Sequence, residues 1–463
     1  MKAGRGYDII PPMLIDSHAH LDDSQFQEDG EQVIARAVNS GIRYILNVSV
    51  GLLSWRRCVE LARRHDFIYI AGGIHPHNCV DDSFKDMKPL LDNPKLVAIG
   101  EIGLDYYRDY SPRERQKAVF REQLKEARKR NLPVIIHQRE SQQDIKEIIR
   151  EFLPLSGVMH CFSGDSNWAR ECLDMGFYIS FAGNLTYPRA DILRQAAAEI
   201  PVEKILIETD CPWLAPQAVR GKRNEPANVR YVAEELARIK GLAVDDIIRI
   251  TSLNFWSLFR IGRKEPEARI AYPIRDALYL NITNRCTALC AFCVKNFKDY
   301  VKGHYLRLDR EPSGDEIIAA IGDPGRYREV VFCGYGEPLL RLSTVKEVSR
   351  WLKEKGARVR IDTNGHGNLI HKRSIAPELS GLVDSISVSM NADTAEKYQK
   401  LCHPVYGKKT FAEIRRFIIE CKGYIPEVMV SVIQMPGVEV EKCRQIADSL
   451  GARFKVRKYN QVG

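Results

Sequence analysis

Two groups of residues have the types and spacing to do chemistry. Cys286, Cys290 and Cys293 form a C-x3-C-x2-C cluster just after the apolar run that ends at Ile282. Three thiols this close are seldom only core. A structural zinc site usually takes a fourth ligand from a second Cys or His pair; the spacing lacks that pair, with His304 or Cys333 as the nearest substitutes. Three cysteines instead suit a [4Fe–4S] cluster with one iron left open, the position that S-adenosylmethionine would chelate through its amino and carboxylate groups. The second group is dispersed: His18, His20, Glu101, His137, His160 and Asp210. Residues i and i+2 of an extended segment point the same way, so His18 and His20 can present two imidazoles to one ion. A lone His-x-His is more often a satisfied polar pair than a metal site, and what changes its meaning is where the other four groups lie.

Apolar, β-branched runs at 13–15, 42–48, 67–74, 96–99, 132–136, 157–159, 177–181 and 204–207 alternate with helical patterns. Eight βα units in about 250 residues predict a (β/α)8 barrel, whose catalytic groups share the rim at the C-terminal strand ends. Glu101 closes strand four, His137 strand five, His160 strand six and Asp210 strand eight, so all six groups converge there. Neutral imidazoles and carboxylates suit Zn, Mn or Mg in a two-metal arrangement, one ion activating water and both stabilising the oxygens of an in-line displacement, and hydrolysis follows as the reaction class. Ser111-Pro112-Arg113-Glu114 reads as a capping box that opens a helix running to Arg130. The polar segment 261–267 reads as a linker, which puts the boundary near Pro266 and the domains at 1–265 and 266–463. Beyond it, strand candidates at 278–282, 329–332, 358–361, 384–389, 428–433 and 454–456 predict a second, shorter parallel α/β domain, a partial (β/α)6 barrel.

The stretches Ile15-Asp16-Ser17-His18-Ala19-His20-Leu21, Gly73-Ile74-His75-Pro76-His77, Gly100-Glu101-Ile102-Gly103-Leu104-Asp105, Pro133-Val134-Ile135-Ile136-His137, His160-Cys161-Phe162-Ser163-Gly164 and Ile207-Glu208-Thr209-Asp210-Cys211-Pro212 resemble the TatD family of metal-dependent deoxyribonucleases, a branch of the amidohydrolase-like TIM barrels, over residues 13–262. The resemblance implies that His18, His20, Glu101 and Asp210 hold one metal while Glu101, His137 and His160 hold the second, with Glu101 bridging. Glu101 and Asp210 are then the catalytic carboxylates, Asp210 also orienting the attacking water, and His75 is a contact to substrate phosphate. The alternative for His75 is a turn histidine bonded to backbone. The basic loop at 220–224, with Arg223, is another phosphate candidate because a guanidinium matches phosphate bidentately; a solvated charged loop is the competing reading.

The cysteine spacing, with Phe292 one residue before the third Cys, is similar to the radical SAM superfamily over about residues 276–460. In Cys333-Gly334-Tyr335-Gly336-Glu337-Pro338 the glycines let backbone approach a ligand, and the resemblance gives this turn the amino group of S-adenosylmethionine. Thr363 and Asn364 end the third strand of this half. Ser387 and Ser389 alternate along the fourth before Asn391, on one face, where polar side chains need a partner such as the ribose or methionyl carboxylate of the cofactor. The turn at 434–437 takes the position where the superfamily contacts adenine. The implied chemistry is one-electron reduction of the cluster by a donor such as flavodoxin or ferredoxin, then release of methionine and a 5′-deoxyadenosyl radical that abstracts hydrogen from a substrate. Cys402, Cys421 and Cys443 are widely spaced and are expected to be buried or incidental thiols. The two halves together resemble TatD-associated radical SAM proteins.

With 463 residues, 44% hydrophobic and 28% charged, the composition excludes disorder and a coiled coil. No apolar stretch approaches a membrane span and no signal-like h-region precedes Ile15, so a cytoplasmic location without a membrane is expected. The net charge of +9 is lopsided: residues 1–265 hold 37 Lys and Arg against 37 Asp and Glu, and residues 266–463 hold 32 against 23. A neutral first half is compatible with a nuclease, because divalent metals supply positive field at the scissile phosphate, but it argues against tight non-specific binding of long duplexes. The leading expectation is a fusion of a two-metal hydrolase cleaving phosphodiester bonds, at DNA ends, with a radical SAM enzyme. The alternative makes the barrel an ester or amide hydrolase and the iron–sulfur half a redox-sensing or binding module.

Overall fold

The computed structural model describes residues 13–108, 110–261 and 267–459. They fall into two compact units, within Ile10–Lys264 and Glu265–Gly463. The predicted linker and the boundary at Pro266 lie almost wholly outside the described residues.

The strands of the first unit are β1 (Leu14–Ala19), β2 (Ile42–Val48), β3 (Ile68–Gly72), β4 (Leu96–Asp105), β5 (Val134–Arg139), β6 (Gly157–Met159), β7 (Tyr178–Phe181) and β8 (Ile205–Ile207). They form one sheet in chain order, parallel throughout. Its two edges meet through a parallel bridge between Ala19 and Cys211, where the His20 amide donates to the Cys211 carbonyl at 2.9 Å and the Asp210 amide to the His18 carbonyl at 3.0 Å. This is the near-closed (β/α)8 barrel the alternation predicts. Its helices bury one stripe each, as the helix Gln142–Glu151 does with Ile145, Ile148 and Ile149. Ile15, Leu46, Ala71, Ala98, Ile135, Val158 and Leu206 pack in one layer against Phe255 and Phe259 of the helix Val244–Phe259. That layer fills the barrel, which leaves the opposite strand ends for polar groups.

Two local expectations change. β4 runs on to Asp105 past a register irregularity between Ile99 and Ile102, so Glu101 sits inside the strand rather than at its end. An apolar count stops at Ile99 because the second half of this strand carries the site's glycines and carboxylates. Ser111 caps nothing: the helix begins at Arg113 after Pro112, and the Ser111 hydroxyl donates to the His77 carbonyl at 3.0 Å, tying the loop to the turn after β3.

The second unit contains β9 (Ala271–Ile274), β10 (Ala277–Leu280), β11 (Tyr300–Val301), β12 (His304–Tyr305), β13 (Glu329–Phe332), β14 (Val359–Thr363), β15 (Ser385–Ser389), β16 (Glu427–Gln434) and β17 (Arg453–Lys458). Its main sheet has the order β17-β16-β15-β14-β13-β10-β9, with β9 antiparallel to β10 and β11 paired only with β12. The six parallel strands are those read from the sequence; β9 and the β11–β12 hairpin are too short to show a period. Alternate residues such as Leu278, Leu280, Val330, Phe332, Ile361, Ile386, Val388, Val430 and Val432 enter one core. Tyr279, Arg360, Asp362, Ser387, Ser389, Ser431 and Arg457 have the other parity and line the opposite face. Among the described residues no helix is long and apolar enough to cross a membrane.

Candidate metal centre and cysteine loop

Glu101 is the hub of the first unit's site. Its Oε1 lies 2.7 Å from His137 Nδ1, 2.8 Å from His160 Nε2 and 3.4 Å from His75 Nε2, while its Oε2 lies 3.4 Å from His18 Nε2 and 3.6 Å from His20 Nε2. Asp210 Oδ1 completes the second side, 3.4 Å from His20 Nε2 and 3.9 Å from His18 Nε2. All six predicted groups therefore come together, with one carboxylate oxygen facing each half. Burial favours neutral Glu101, but facing His160, His75 and His137 outweigh it and hold the carboxyl well below the usual carboxylate range. Burial also pulls on the imidazoles; Asp210 and Glu101 nevertheless lift His20 to about 9, while His18, buried and stacked on His160 at 4.0 Å between ring centres, is lowered.

The far side of each imidazole is committed. His20 Nδ1 donates to the Val48 carbonyl at 2.8 Å, His160 Nδ1 to Glu208 at 3.2 Å, and His137 Nε2 to Asp105 Oδ2 at 3.1 Å. A carbonyl or carboxylate behind an imidazole fixes its tautomer and turns its other nitrogen toward a metal. His18 Nδ1 is buried with no partner, and three overlapping trios, His18–Glu101–His160, His18–His20–Asp210 and His75–Glu101–His137, each bring ligand atoms within 4.8 Å of one another. This donor set fits divalent metal. Asp105 is held in turn by the amides of Tyr107 and Arg108 at 3.0 and 2.9 Å, and its carboxyl lies well below its ordinary range because the His137 and His77 bonds overcome burial. At Gly103, with φ +142°, a Cβ would sit 2.0 Å from the His137 carbonyl oxygen, so this glycine lets β4 lie close against the His137 backbone.

In the second unit Cys286, Cys290 and Cys293 are free, half-buried thiols on the loop after β10. The loop is pinned from outside: the amides of Leu289 and Ala291 donate to the Cys402 and Leu401 carbonyls at 3.0 and 2.9 Å, and Ala288 bridges Pro404. Asn364 Nδ2 donates to Cys286 Sγ at 3.7 Å and to Thr287 Oγ1 at 3.0 Å; Thr287 meets His366 Nδ1 at 2.8 Å, and His366 Nε2 meets the Tyr398 hydroxyl at 2.8 Å. Burial pushes the Cys286 thiol up to about 12, with Glu337, Cys290 and Cys293 adding to it. Cys290 is raised as well, first by a hydrogen bond with Cys402 and then by burial, and Cys402 is itself buried, as expected of it. Three thiols on one short loop fit an iron–sulfur cluster, which a deprotonated set would bind.

Residues 15–260 match the family model of the TatD related DNases, more than half of the chain. The chain belongs to the TatD family. It is 44% identical to the uncharacterized metal-dependent hydrolase YabD of Bacillus subtilis (strain 168), covering 54% of this chain and 100% of that protein. It is 32% identical to the 3'-5' ssDNA/RNA exonuclease TatD of Erwinia tasmaniensis, over 54% of this chain and 100% of that one. The solved structure of YJJV, the TATD homolog of Escherichia coli k12, superposes with a TM-score of 0.51 at 30% identity, over 54% and 98% of the two chains. Residues 280–450 match the Radical SAM superfamily. The protein is thus a TatD-type metal-dependent hydrolase joined to a Radical SAM domain, and the two families imply divalent metals, an iron–sulfur cluster and S-adenosylmethionine.

The other expected contact residues have these surroundings. In the TatD barrel His75, expected on phosphate, stands inside the cluster beside Glu101, with burial pulling it down to about 4. Arg223, also expected on phosphate, makes a two-pronged pair with Asp29 at 2.8 and 2.7 Å and covers the Phe26 ring, which commits its guanidinium to the fold. In the Radical SAM domain the glycines of the turn after β13 let it lie close against Asn281 and the Thr283–Arg285 backbone. A Cβ on Gly334 would lie 2.4 Å from Asn281 Oδ1, and one on Gly336 2.3 Å from the Arg285 carbonyl oxygen. Glu337 accepts from the Leu339 amide at 3.0 Å, the Thr363 hydroxyl at 2.8 Å and the Asn364 amide at 2.7 Å, clamping the turn to the end of β14 before Pro338 opens the next helical turn. Ser389 lies 3.4 Å from Ser431, and Arg457 donates to Ser389 and Asn391 at 3.3 and 3.4 Å; Phe292 packs at the edge of the core. Asp105 and Glu208, which support the imidazoles, are functional residues that sequence reasoning leaves without a role. Spacing alone does not reveal them: Asp105 is four residues from Glu101 and Glu208 two from Asp210, but Gly103 at φ +142° and Asp210 at φ +56° break the extended repeat that would make spacing a guide.

Proposed function

We propose that the TatD barrel hydrolyses phosphodiester bonds at nucleic-acid ends, and that the Radical SAM domain reductively cleaves S-adenosylmethionine to act on a second substrate. The observation that carries the first half is the division of Glu101, one oxygen toward His18 and His20 and the other toward His137 and His160. In this reading His18, His20, Glu101 and Asp210 would hold one divalent ion, and Glu101, His137 and His160 the other, with His75 close enough to join the second set. Such a pair of ions, whether Zn, Mn or Mg, supplies a lowered water pKa and neutralises charge developing on phosphate oxygens. Asp210 holds the attacking water by accepting its hydrogen bond, and Asp105 and Glu208 keep the imidazoles aimed. The relative named as an exonuclease supports phosphodiester cleavage. Ester or amide hydrolysis is the competing outcome of the same centre.

Cys286, Cys290 and Cys293 would hold the cluster in the Radical SAM domain, with an external reductase such as flavodoxin or ferredoxin as electron donor. Thr363, Asn364, Ser387, Ser389 and Asn391 border the space where the cofactor would lie. Cluster and cofactor together supply one-electron cleavage of a sulfonium and hence hydrogen abstraction; the chain's part is positioning and exclusion of water.

One experiment tests each half. Purified protein with Mn, Mg or Zn is given a labelled single-stranded oligonucleotide beside aminoacyl and amide substrates; absence of oligonucleotide cleavage overturns the phosphodiesterase reading. Anaerobically reconstituted protein reduced with dithionite is expected to yield 5′-deoxyadenosine, and an intact cluster with no such product would favour a sensor.

A further inference from the structure

Three large aromatic rings stand exposed around the metal centre. Tyr107, Tyr110 and Trp213 are 56%, 61% and 47% exposed, and among the described residues of the barrel unit they are the exposed aromatic side chains. A protein this size normally buries such rings or scatters them, so three beside one site call for an occupant.

Their placement follows the site. Trp213 meets the His20 ring edge-on at 5.2 Å between centres, and Tyr110 meets the His77 ring edge-on at 4.8 Å. His20 belongs to the Asp210 side of Glu101, whereas His77 donates to Asp105, the carboxylate behind His137 on the other side. One ring therefore marks each half of the cluster. Both are tied to the fold yet exposed: the Trp213 amide donates to the Asp210 carbonyl at 3.1 Å, Asn224 Nδ2 donates to the Trp213 carbonyl at 2.8 Å, and Arg108 donates to the Tyr110 hydroxyl at 3.0 Å with its guanidinium 6.0 Å from that ring's centre. Tyr107 carries the Arg139 guanidinium 3.9 Å from its ring centre, two residues beyond His137 on β5.

We propose that Trp213 and Tyr110 form a base-stacking clamp across the metal centre, each ring taking the face of one unpaired base beside the scissile phosphate of a single strand. This rests on the phosphodiesterase reading above and adds which side chains grip the strand. Bases inside a duplex already stack on one another and offer no free face, whereas every unpaired base offers one to an aromatic ring whatever its identity. The charge balance agrees: with 37 cationic against 37 anionic residues in 1–265, backbone attraction is weak, and affinity must come from the metals and from stacking. Arg139 supplies a local cation beside the strand.

The full-length protein with Mn is assayed on a labelled single-stranded oligonucleotide and on the same strand with abasic sites at the terminal positions. Trp213→Ala is expected to raise KM on the base-bearing strand by about tenfold to a hundredfold, with kcat changing less, and Trp213→Phe to recover most of it. Wild type on the abasic strand should lose a similar factor, and the two losses should not multiply when combined. Tyr110→Leu should behave likewise. Equal losses by Trp213→Ala on both strands, or none on either, overturn the clamp. A binding readout separates it from the reaction: in chelator-treated protein the base-bearing strand should quench tryptophan fluorescence, the abasic strand should not, and Trp213→Phe should remove the quenching. Quenching of that pattern in a protein that cleaves neither strand would sink the hydrolytic reading and keep the clamp; cleavage without any such quenching would do the reverse.

Discussion

The metal centre of the barrel and the cysteine loop of the Radical SAM domain solve the same problem, holding ligands in place, by opposite means. In the barrel every candidate ligand lies on a strand or within three residues of one, and the far nitrogens of His20, His137 and His160 are fixed by a backbone carbonyl or a buried carboxylate. The cysteines instead sit on a loop whose order comes from side chains of other segments, Asn364, Thr287 and His366 among them. Their ionisation differs as well. Glu101 is held as an anion by the histidines facing it, whereas burial keeps the Cys286 thiol protonated and a hydrogen bond with Cys402, then burial, does so for Cys290. Strand-borne ligands are thus fixed in place before any ion arrives, yet the raised His20, like the thiols of the loop-borne set, must lose a proton when its ion binds.

Breaking the hub should expose this contrast most sharply. Glu101→Gln removes the charge that both halves of the metal centre share, and oligonucleotide hydrolysis is expected to fall by about 10³-fold or more. The same variant should still take up iron and sulfide and form 5′-deoxyadenosine at the wild-type rate, measured after anaerobic reconstitution. Parallel losses in both activities would show that the two sites are not independent.

A titration probes the second unit on its own. Burial lifts Glu337 from its ordinary 4.5 to about 7, against the lowering by the Asn364 and Leu339 amides and the Thr363 hydroxyl. A carboxyl whose folded pKa is raised stabilises the fold relative to the unfolded chain below pH 4.5, and that contribution is lost as pH climbs through 7. The span corresponds to about 3 kcal/mol. Urea unfolding of the cluster-free protein, followed by a probe in the Radical SAM domain, should therefore show stability declining over that window, and Glu337→Gln should flatten the slope. Stability rising over the window would mean that the three donors, not burial, dominate Glu337.

The same contrast governs how far each site is legible in the sequence. Cys286, Cys290 and Cys293 span eight residues and announce their chemistry by spacing alone, while His18 and Asp210 lie 192 positions apart and acquire meaning only once eight strands are counted. The strands are countable because parallel strands buried on both faces leave continuous apolar runs, as Val134–Arg139 does at its start. The count falters where strands carry function: β4 continues through Gly100, Glu101 and Gly103, which no hydrophobic pattern marks. Partnerships are less legible than ligands. Nothing local to Arg223 reveals that Asp29 claims it, and Gly334 and Gly336 look the same whether a ligand or the Asn281–Arg285 backbone presses against them.

A smaller perturbation tests whether the barrel's supporting carboxylates matter as much as its ligands. Asp105 receives His77 and His137 on one oxygen and two backbone amides on the other. Asp105→Asn keeps the shape but offers an amide where an acceptor is needed. Metal affinity or turnover should drop by about 10- to 100-fold, less than for Glu101→Gln, with the far-ultraviolet circular dichroism unchanged. A loss as large as that of Glu101→Gln would move Asp105 from support to the reacting centre.

The least effect is expected where the loop's order and its electronics meet. Asn364 Nδ2 reaches both Cys286 Sγ, at 3.7 Å, and Thr287 Oγ1, at 3.0 Å. A donor beside a cluster thiolate favours the electron-richer state, so Asn364→Ala should make the cluster harder to reduce. One neutral hydrogen bond is worth about 1 kcal/mol, or about 40 mV for a single electron, so a potentiometric titration followed by electron paramagnetic resonance should move negative by a few tens of millivolts. Thr287→Val separates the two contacts of Asn364. If the shift arises from the bond to sulfur, Thr287→Val leaves the midpoint near the wild-type value; if it arises from loop position alone, Thr287→Val reproduces it, and the cysteine loop would be tuned by the way it is held rather than by what touches its sulfur.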